Sequence, residues 1–136
     1  MKITGSYTFD ASSYDSLKAG ETQVITVPVT VTDDQGATAN TTLTITITGT
    51  NDVASLSSDT KALTETDAAL SSSGTLTLTD ADTTAATVVA QTNTAGTYGQ
   101  FSVNAAGAWT YVTTSALDQL DAGQVVTDSF TVTTTD

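Results

Sequence analysis

Apolar and polar residues alternate with a period of two in three segments of this chain: residues 23–32, 41–48 and 127–135. Successive side chains of a strand point to opposite faces, so each segment is predicted to be a strand with one solvated face. This pattern is typical of antiparallel sheets. The apolar positions are Ile25, Val27, Val29 and Val31 in the first segment, Leu43, Ile45 and Ile47 in the second, and Phe130 and Val132 in the third. Pro28 has no backbone N–H, so its strand is expected at an edge or at a bulge.

Weaker alternation predicts five further strands, at residues 6–9, 75–79, 86–91, 99–103 and 108–112. Gly107 separates the last two and predicts a hairpin, and residues 33–36 predict a second hairpin turn between the two strongest strands. In the hairpin at Gly107, one face is expected to fill the core, with the residues Phe101, Val103, Trp109 and Tyr111. Many short strands without a long helix predict an all-β, immunoglobulin-like antiparallel β-sandwich.

Part of the sequence occurs twice. Residues 6–33 are similar to residues 108–136, and Val29 aligns with Val132 at an offset of 132 − 29 = 103 residues, whereas Tyr7 aligns with Trp109 at an offset of 109 − 7 = 102. A period near 100 residues suits one small domain per repeat. The chain is therefore predicted to be part of a longer array of repeats. Residues 1–50 would be the C-terminal part of one repeat, and residues 51–136 the N-terminal part of the next.

Each copy also predicts one short helical turn that ends at a glycine. In the second copy Ser115 is expected to cap a turn that carries Leu117 and Leu120, with Gly123 after it. In the first copy the same roles fall to Ser12 or Ser13, Tyr14, Leu17 and Gly20.

Composition narrows the possible functions. Threonine makes up about a quarter of the 136 residues, and the formal net charge is −12, from 15 acids and three lysines. Nucleic-acid binding needs Lys and Arg to neutralise phosphates, so neither nucleic acid nor an anionic membrane is an expected partner. No run of about 18 apolar residues suggests membrane insertion. Without His or Cys, and without a phosphate-binding loop or a GxSxG sequence, an enzyme is not expected.

An oxygen-only ligand set remains, and it suits Ca²⁺. The strongest candidates are Asp80 and Asp82, alternate carboxylates after a predicted strand. The other candidate ligands are Asn51 and Asp52 at the boundary, Glu65 and Asp67 early in the second repeat, and Asp33 and Asp34 in the turn of the first. The alternative is that these residues only form turns, because Asp and Asn side chains bond their own backbone.

Several sequence blocks resemble the VCBS and cadherin-like repeats of very large RTX-type bacterial surface adhesins. The blocks are GTLTLTDADT (74–83), GTYGQFSVNAAGAWTYV (96–112), LDAGQVVTDSFTV (120–132) and TDDQGATANTTLTITITGTND (32–52). The resemblance implies a secreted extender module at the bacterial cell surface, acting in cell adhesion and biofilm formation, with neighbouring repeats as partners and calcium between domains. The family often has Pro after the boundary Asn-Asp-Ala, whereas this chain has Val53 and Ala54.

Two alternatives remain open. A carbohydrate- or partner-binding β-sandwich module would use exposed aromatic residues, with Tyr98, Phe101, Trp109 and Tyr111 as a stacking platform, although core packing is the preferred interpretation. The second repeat also stops before its own copy of residues 41–48, which leaves an edge open. That edge could be filled within the chain or by strand donation between chains.

Overall fold

The computed structural model describes residues 6–82 and 86–136. Within them, regular structure consists of antiparallel strands and one short 3₁₀ turn, Ser12–Tyr14, with no α-helix. The all-β, antiparallel part of the prediction is confirmed. Contacts between residues divide the described chain into two compact units: unit 1 comprises residues 6–52 with 81–82, and unit 2 comprises residues 53–80 with 86–136.

Unit 1 is built on one long hairpin. Strand β1 (Thr22–Thr32) pairs with β2 (Thr38–Thr48) over eleven residues without a bulge. Both strongest strand predictions are therefore confirmed. Since β2 is the one pairing partner of β1 among residues 6–82 and 86–136, Pro28 lies in an edge strand of this described sheet, as its missing N–H predicts.

The turn between β1 and β2 has the chemistry expected from residues 33–36. Gly36 takes a positive φ of 86°, which glycine adopts at no steric cost. The Asp33 carboxylate accepts hydrogen bonds from the N–H groups of Gln35 (2.9 Å) and Ala37 (2.8 Å). These bonds set the register of the hairpin because they fix where the chain reverses.

Unit 2 contains six strands among its described residues: β3 (Ser55–Leu56), β4 (Ser71–Thr75), β5 (Leu78–Thr79), β6 (Gln91–Ala95), β7 (Gly99–Val103) and β8 (Ala108–Thr113). β3 and β5 form a small pair, and the other four form an antiparallel sheet in the order β4-β8-β7-β6. The predicted hairpin at Gly107 joins β7 to β8, and Gly107 has a φ of 85°. The predictions for residues 99–103 and 108–112 are confirmed.

One face of this sheet forms the core of unit 2. In β7 and β8 every second side chain is inward, so Phe101, Val103 and Trp109 are buried and Tyr111 is half-buried. Val88 completes the cluster at 2% exposure. The ring of Phe101 stacks on that of Phe130 with a centroid separation of 4.9 Å.

The C-terminal segment, residues 126–136, lies beside residues 87–91. The Val89 N–H donates to the Thr133 carbonyl and the Thr135 N–H donates to the Thr87 carbonyl, both at 2.9 Å. The segment is not a regular strand, however, since it forms only an isolated bridge between Val88 and Thr134. The strand prediction for residues 127–135 is therefore wrong in extent, because the backbone bonds to residues 87–89 are made near the end of the segment, whereas Thr131 and Asp128 are held through side-chain bonds.

Three weaker strand predictions need correction. Residues 6–9 form no strand, and residues 75–79 are divided between the ends of β4 and β5. At residues 86–91 the regular strand β6 begins only at Gln91. In the first copy, no serine side chain caps the 3₁₀ turn, whose N-cap is Ala11.

The turns of the two copies share hydrogen bonds but differ in backbone conformation. The helical turn predicted at residues 115–120 does not form, because Leu117, the counterpart of Tyr14, has a positive φ of 61°. Leu17 N–H donates to the Tyr14 carbonyl in the first copy, and Leu120 N–H donates to the Leu117 carbonyl in the second. A second reverse turn follows in each copy, and the glycine within it, Gly20 or Gly123, has a φ of 77° or 84°. The repeat seen in the sequence is thus also a repeat of these turn hydrogen bonds and of the glycine conformation.

Candidate functional site: acidic residues

Three carboxylates converge at the surface of unit 2. One oxygen each from Glu65, Asp67 and Asp118 lies within 4.8 Å of the others. Three carboxylates can offer three to six oxygens, depending on whether each binds through one oxygen or two, and Ca²⁺ takes six to eight. The cluster therefore has the right donor chemistry for a hard cation, and backbone carbonyls or water would have to complete the shell.

Two hydrogen bonds between Leu70 and Thr113, one to a side chain and one between backbone groups, bring the segments that carry these acids together. Leu70 N–H donates to the Thr113 hydroxyl at 2.8 Å, and Thr113 N–H donates to the Leu70 carbonyl at 2.9 Å. The pair continues the β4–β8 ladder by one residue beyond Ser71. The segment that carries Glu65 and Asp67 therefore lies beside the start of the turn that carries Asp118.

Sequence analysis predicted two members of this cluster and missed Asp118. A signal was nevertheless present, because Asp118 aligns with Asp15 at the same offset of 103 residues as the glycines. The acid lies in the turn before Gly123 in one copy and before Gly20 in the other. Proximity to Glu65 was not readable, since the two residues are far apart in the sequence.

Of the other predicted ligands, Asp33, Asp80 and Asp82 accept hydrogen bonds from backbone N–H groups. Asp33 accepts the two turn N–H groups described above, and its neighbour Asp34 is exposed. Asp80, in unit 2, accepts the Ala86 N–H at 2.8 Å. In unit 1, Asp82 is 8% exposed and accepts the Asp52 N–H at 3.2 Å, whereas Asn51 is exposed. The turn chemistry that was the alternative for these acids is thus observed at Asp33, and calcium binding by any of them stays a prediction.

Asp128 is a carboxylate that accepts four hydrogen bonds. It accepts N–H bonds from Thr97 (2.8 Å), Tyr98 (3.0 Å) and Gly99 (3.0 Å), and a bond from the Tyr111 hydroxyl (2.8 Å). Burial by itself raises the pKa of Asp128, but these four bonds stabilise the anion more and hold the pKa below its usual value. Asp128 thereby fastens the C-terminal segment to the turn between β6 and β7.

The Tyr111 hydroxyl titrates in the opposite direction. Burial, together with the hydrogen bond to Asp128 and the negative charge of that carboxylate, raises its pKa from the ordinary value of 10.0 to about 12. Tyr111 is therefore neutral at physiological pH and acts as a hydrogen-bond donor. Sequence reasoning missed this pair, because the position of Asp128 is held by Ile25 in the first copy.

The aromatic stacking platform is not supported by the structure. Phe101 and Trp109 are each 7% exposed and lie in the core, so their ring faces are not available to a sugar. The Trp109 indole N–H donates to the Asp59 carboxylate at 3.2 Å, which satisfies the one polar atom of that side chain. The preferred core interpretation is correct for these residues.

Comparison of the chain with known protein families finds no match, and comparison with functionally characterised proteins finds no significant similarity. In the described part of the chain, no helix has the length and apolar character needed to cross a membrane.

Proposed function

We propose that this chain is a structural extender module of a large secreted bacterial adhesin, acting at the cell surface in adhesion and biofilm formation. The observation that carries the proposal is the repeat itself, which is present as sequence and as equivalent turn hydrogen bonds and glycine conformations in two places. A catalytic or ligand-binding site is rarely needed every 100 residues, whereas an extender gains length from each added domain. The resemblance to adhesin repeats supplies the cell-surface setting.

The domain of this extender is proposed to be an immunoglobulin-like sandwich. Unit 2 supplies one antiparallel sheet with an apolar inner face, and Phe130 and Val132 of the C-terminal segment pack against that face. The long β1–β2 hairpin of unit 1 has the alternation that a second sheet needs. A complete repeat would combine both kinds of element.

Calcium is proposed to stabilise the module. The net charge of −12 produces self-repulsion, which a bound divalent cation relieves. The cluster of Glu65, Asp67 and Asp118 is the group of described acids whose oxygens already converge. Binding there would hold the turn of residues 115–123 against the segment that precedes β4.

A thermal melt in calcium and in chelator, at constant ionic strength, tests the calcium part of the proposal. A ligand that binds only the folded state adds about 2.7 kcal/mol at a hundred times its Kd, which raises the Tm by several degrees. The triple variant Glu65→Gln, Asp67→Asn, Asp118→Asn is expected to lose this rise. The matched control, Asp121→Asn, changes an exposed acid after the same turn and should keep it. Superimposable wild-type melts would remove calcium from the proposal and leave the extender.

The extender itself is tested by the size of an array. Residues 34–136 cover one full period, since 136 − 33 = 103. Tandem proteins with two, three and four copies of this segment are expected to gain about 35 Å of maximum dimension per copy in small-angle scattering, as for compact domains of this length placed end to end. A maximum dimension that grows only with the cube root of mass would mean that the copies collapse together, which contradicts an extender.

A further inference from the structure

The C-terminal segment of unit 2, residues 126–136, is attached more loosely than the strands beside it. Two backbone hydrogen bonds join it to residues 87–89, and the bridge between Val88 and Thr134 is its regular pairing in the described part of the chain. By comparison, β8 pairs with both β4 and β7 along five-residue ladders. Segments with few such bonds open at a lower free energy than the rest of a domain. The C-terminal segment is therefore expected to open before the four-stranded sheet.

Side chains supply the other attachments of this segment. The Gln91 amide donates to the Thr131 carbonyl at 2.8 Å, and the Asp136 carboxylate accepts the Ala54 N–H at 2.9 Å. Asp128, near the opposite end, accepts the four bonds described above. A carboxylate thus holds the segment near each end, and the half-buried Asp128 makes more bonds than the exposed Asp136.

The bonds to Asp128 favour its ionised form. Thr97 donates to Oδ1, and Tyr98, Gly99 and Tyr111 donate to Oδ2. A protonated carboxyl group would present a hydrogen where these donors need an acceptor. Burial acts to raise the pKa of Asp128, but the bonds outweigh it and hold the pKa below its usual value. Proton binding therefore favours the open segment, increasingly so as the pH falls below the ordinary Asp value of about 3.9.

The groups around Asp128 leave its carboxylate as the one that responds to acid in this contact. Residues 87–103 contribute one titratable side chain, Tyr98, and β8 contributes Tyr111. Both are phenols, which stay uncharged in acid. The other acid of the segment is Asp136, eight residues further along, since 136 − 128 = 8.

Acid does not burden the rest of unit 2 with charge repulsion. The chain has 15 acids and a net charge of −12, so protonation of every acid changes the side-chain charge to −12 + 15 = +3. Self-repulsion therefore falls as the pH is lowered. The backbone N–H and C=O groups that join β4, β8, β7 and β6 do not titrate. Acid is thus expected to act on the Asp128 contact before it acts on the sheet.

The C-terminal segment covers the apolar cluster of unit 2. The ring of Phe130 stacks on Phe101 at a centroid separation of 4.9 Å and lies 6.0 Å from the ring of Tyr111. Val132 packs against the same cluster, in which Phe101 lies 6.2 Å from Trp109. Departure of the segment would uncover an aromatic surface.

We propose that the C-terminal segment is an acid-released cover: protonation of Asp128 frees it while the four-stranded sheet stays folded, and the aromatic surface beneath becomes accessible. Residues 121–125 form the hinge, because all five are exposed and Gly123 has a positive φ of 84°. Val125, at 82% exposure, can move without breaking a packed contact. This inference does not depend on the proposed function.

Hydrogen exchange by NMR at pH 6 and pH 3, corrected for the unfolded-chain rate at each pH, tests the proposal on the chain as it stands. The probes are the Val89 and Thr135 amides, whose bonds join the segment to residues 87–89. Their protection is expected to fall about tenfold or more, because each unit by which the pKa of Asp128 is lower in the closed state corresponds to a factor of ten. The reference amides, Gln100 in β7 and Thr110 in β8, should change less than about threefold.

Three isosteric variants assign the effect to the Asp128 contact. Asp128→Asn is neutral at every pH, so the probes should be weakly protected at pH 6 and lose nothing more at pH 3. The matched control Asp136→Asn removes an exposed carboxylate that accepts one bond, and it should keep the wild-type response. Tyr111→Phe keeps the ring but removes one donor to the anion, so the loss of protection should be centred at a higher pH than in the wild type.

Protection of Val89 and Thr135 that is the same at pH 6 and pH 3 would overturn the proposal. An equal loss at Gln100 and Thr110 would also overturn it, because unit 2 would then unfold as a whole. So would an Asp128→Asn protein that keeps the wild-type pH response.

Binding of the dye anilinonaphthalene sulfonate gives an independent readout of the uncovered surface. Its fluorescence with the wild-type chain should rise at pH 3 while the far-UV circular dichroism stays unchanged, because the dye binds exposed apolar surface. Fluorescence that does not rise at pH 3 would show that the cluster stays covered and would contradict the proposal.

Discussion

Asp128 shows how a single carboxylate determines the path of a segment that has little regular structure. Its four hydrogen bonds join the C-terminal segment to the turn at residues 97–99 and to Tyr111. Gly96 contributes by being small, since a Cβ there would lie 2.5 Å from an Asp128 carboxylate oxygen. The same position in the first copy is Ile25, so this contact belongs to unit 2 alone.

Replacing Asp128 with Asn is expected to reduce the free energy of unfolding of unit 2 by about 2 kcal/mol at pH 7, because bonds to a charged acceptor are lost. The pKa of Asp128 is lowered in the folded state, so its stabilisation is complete above the unfolded pKa of about 3.9 and is lost as pH falls through the folded value. The difference between wild type and variant should therefore shrink below about pH 4. Urea unfolding from pH 7 to pH 2 measures it.

Asp121→Asn is the control for this series, since Asp121 is exposed and follows the same turn. It should unfold like the wild type at every pH. An Asp128→Asn difference that stays constant down to pH 2 would show that the anion is not the stabilising form.

At the scale of elements, the β1–β2 hairpin and the four-stranded sheet differ in how many pairing partners their strands have. An isolated two-stranded hairpin is at best marginally stable in water, whereas three or more strands with an apolar face can be stable. In the described part of the chain, β1 and β2 pair only with each other, whereas β8 lies between β4 and β7. The four-stranded sheet is therefore expected to be more stable than the β1–β2 hairpin, because its strands have more pairing partners and one of its faces lies in the buried cluster.

Amides of β1 and β2 are therefore expected to exchange with solvent much faster than those of β7 and β8, by about 100-fold or more. Residue-resolved hydrogen exchange by NMR at neutral pH provides the measurement. The Gln100 and Val103 amides serve as the internal reference, because they lie in β7, between β6 and β8. Equal protection in the two hairpins would mean that β1 and β2 have cover beyond that described above.

At the scale of the whole molecule, two copies of one sequence pattern meet different surroundings. Residues 108–112 form a central strand, whereas the matching residues 6–9 form none. Conversely, residues 22–32 form a long strand because β2 lies beside them, whereas the matching residues 125–135 form a single bridge. Within the described residues, the two copies thus pair at different places: the first along residues 22–32, and the second along residues 108–113.

What the sequence determined by itself is local. Alternation at residues 23–32 and 41–48 predicted two strands, and Gly36 and Gly107 predicted the hairpins, because side-chain period and positive φ depend on neighbouring residues only. The repeat was also readable, including the glycines that end its turns. These features need no distant contact to be recognised.

Tertiary structure decided which strand-forming segments have partners and which acids meet. Strand formation at residues 6–9 or 127–135 depends on a neighbour that only the fold supplies, since backbone N–H and C=O groups must be paired across strands. The convergence of Glu65, Asp67 and Asp118, and the four bonds to Asp128, join residues distant in sequence. Alternation predicts which way a side chain points, but what it meets there is decided by the packing of the other strands.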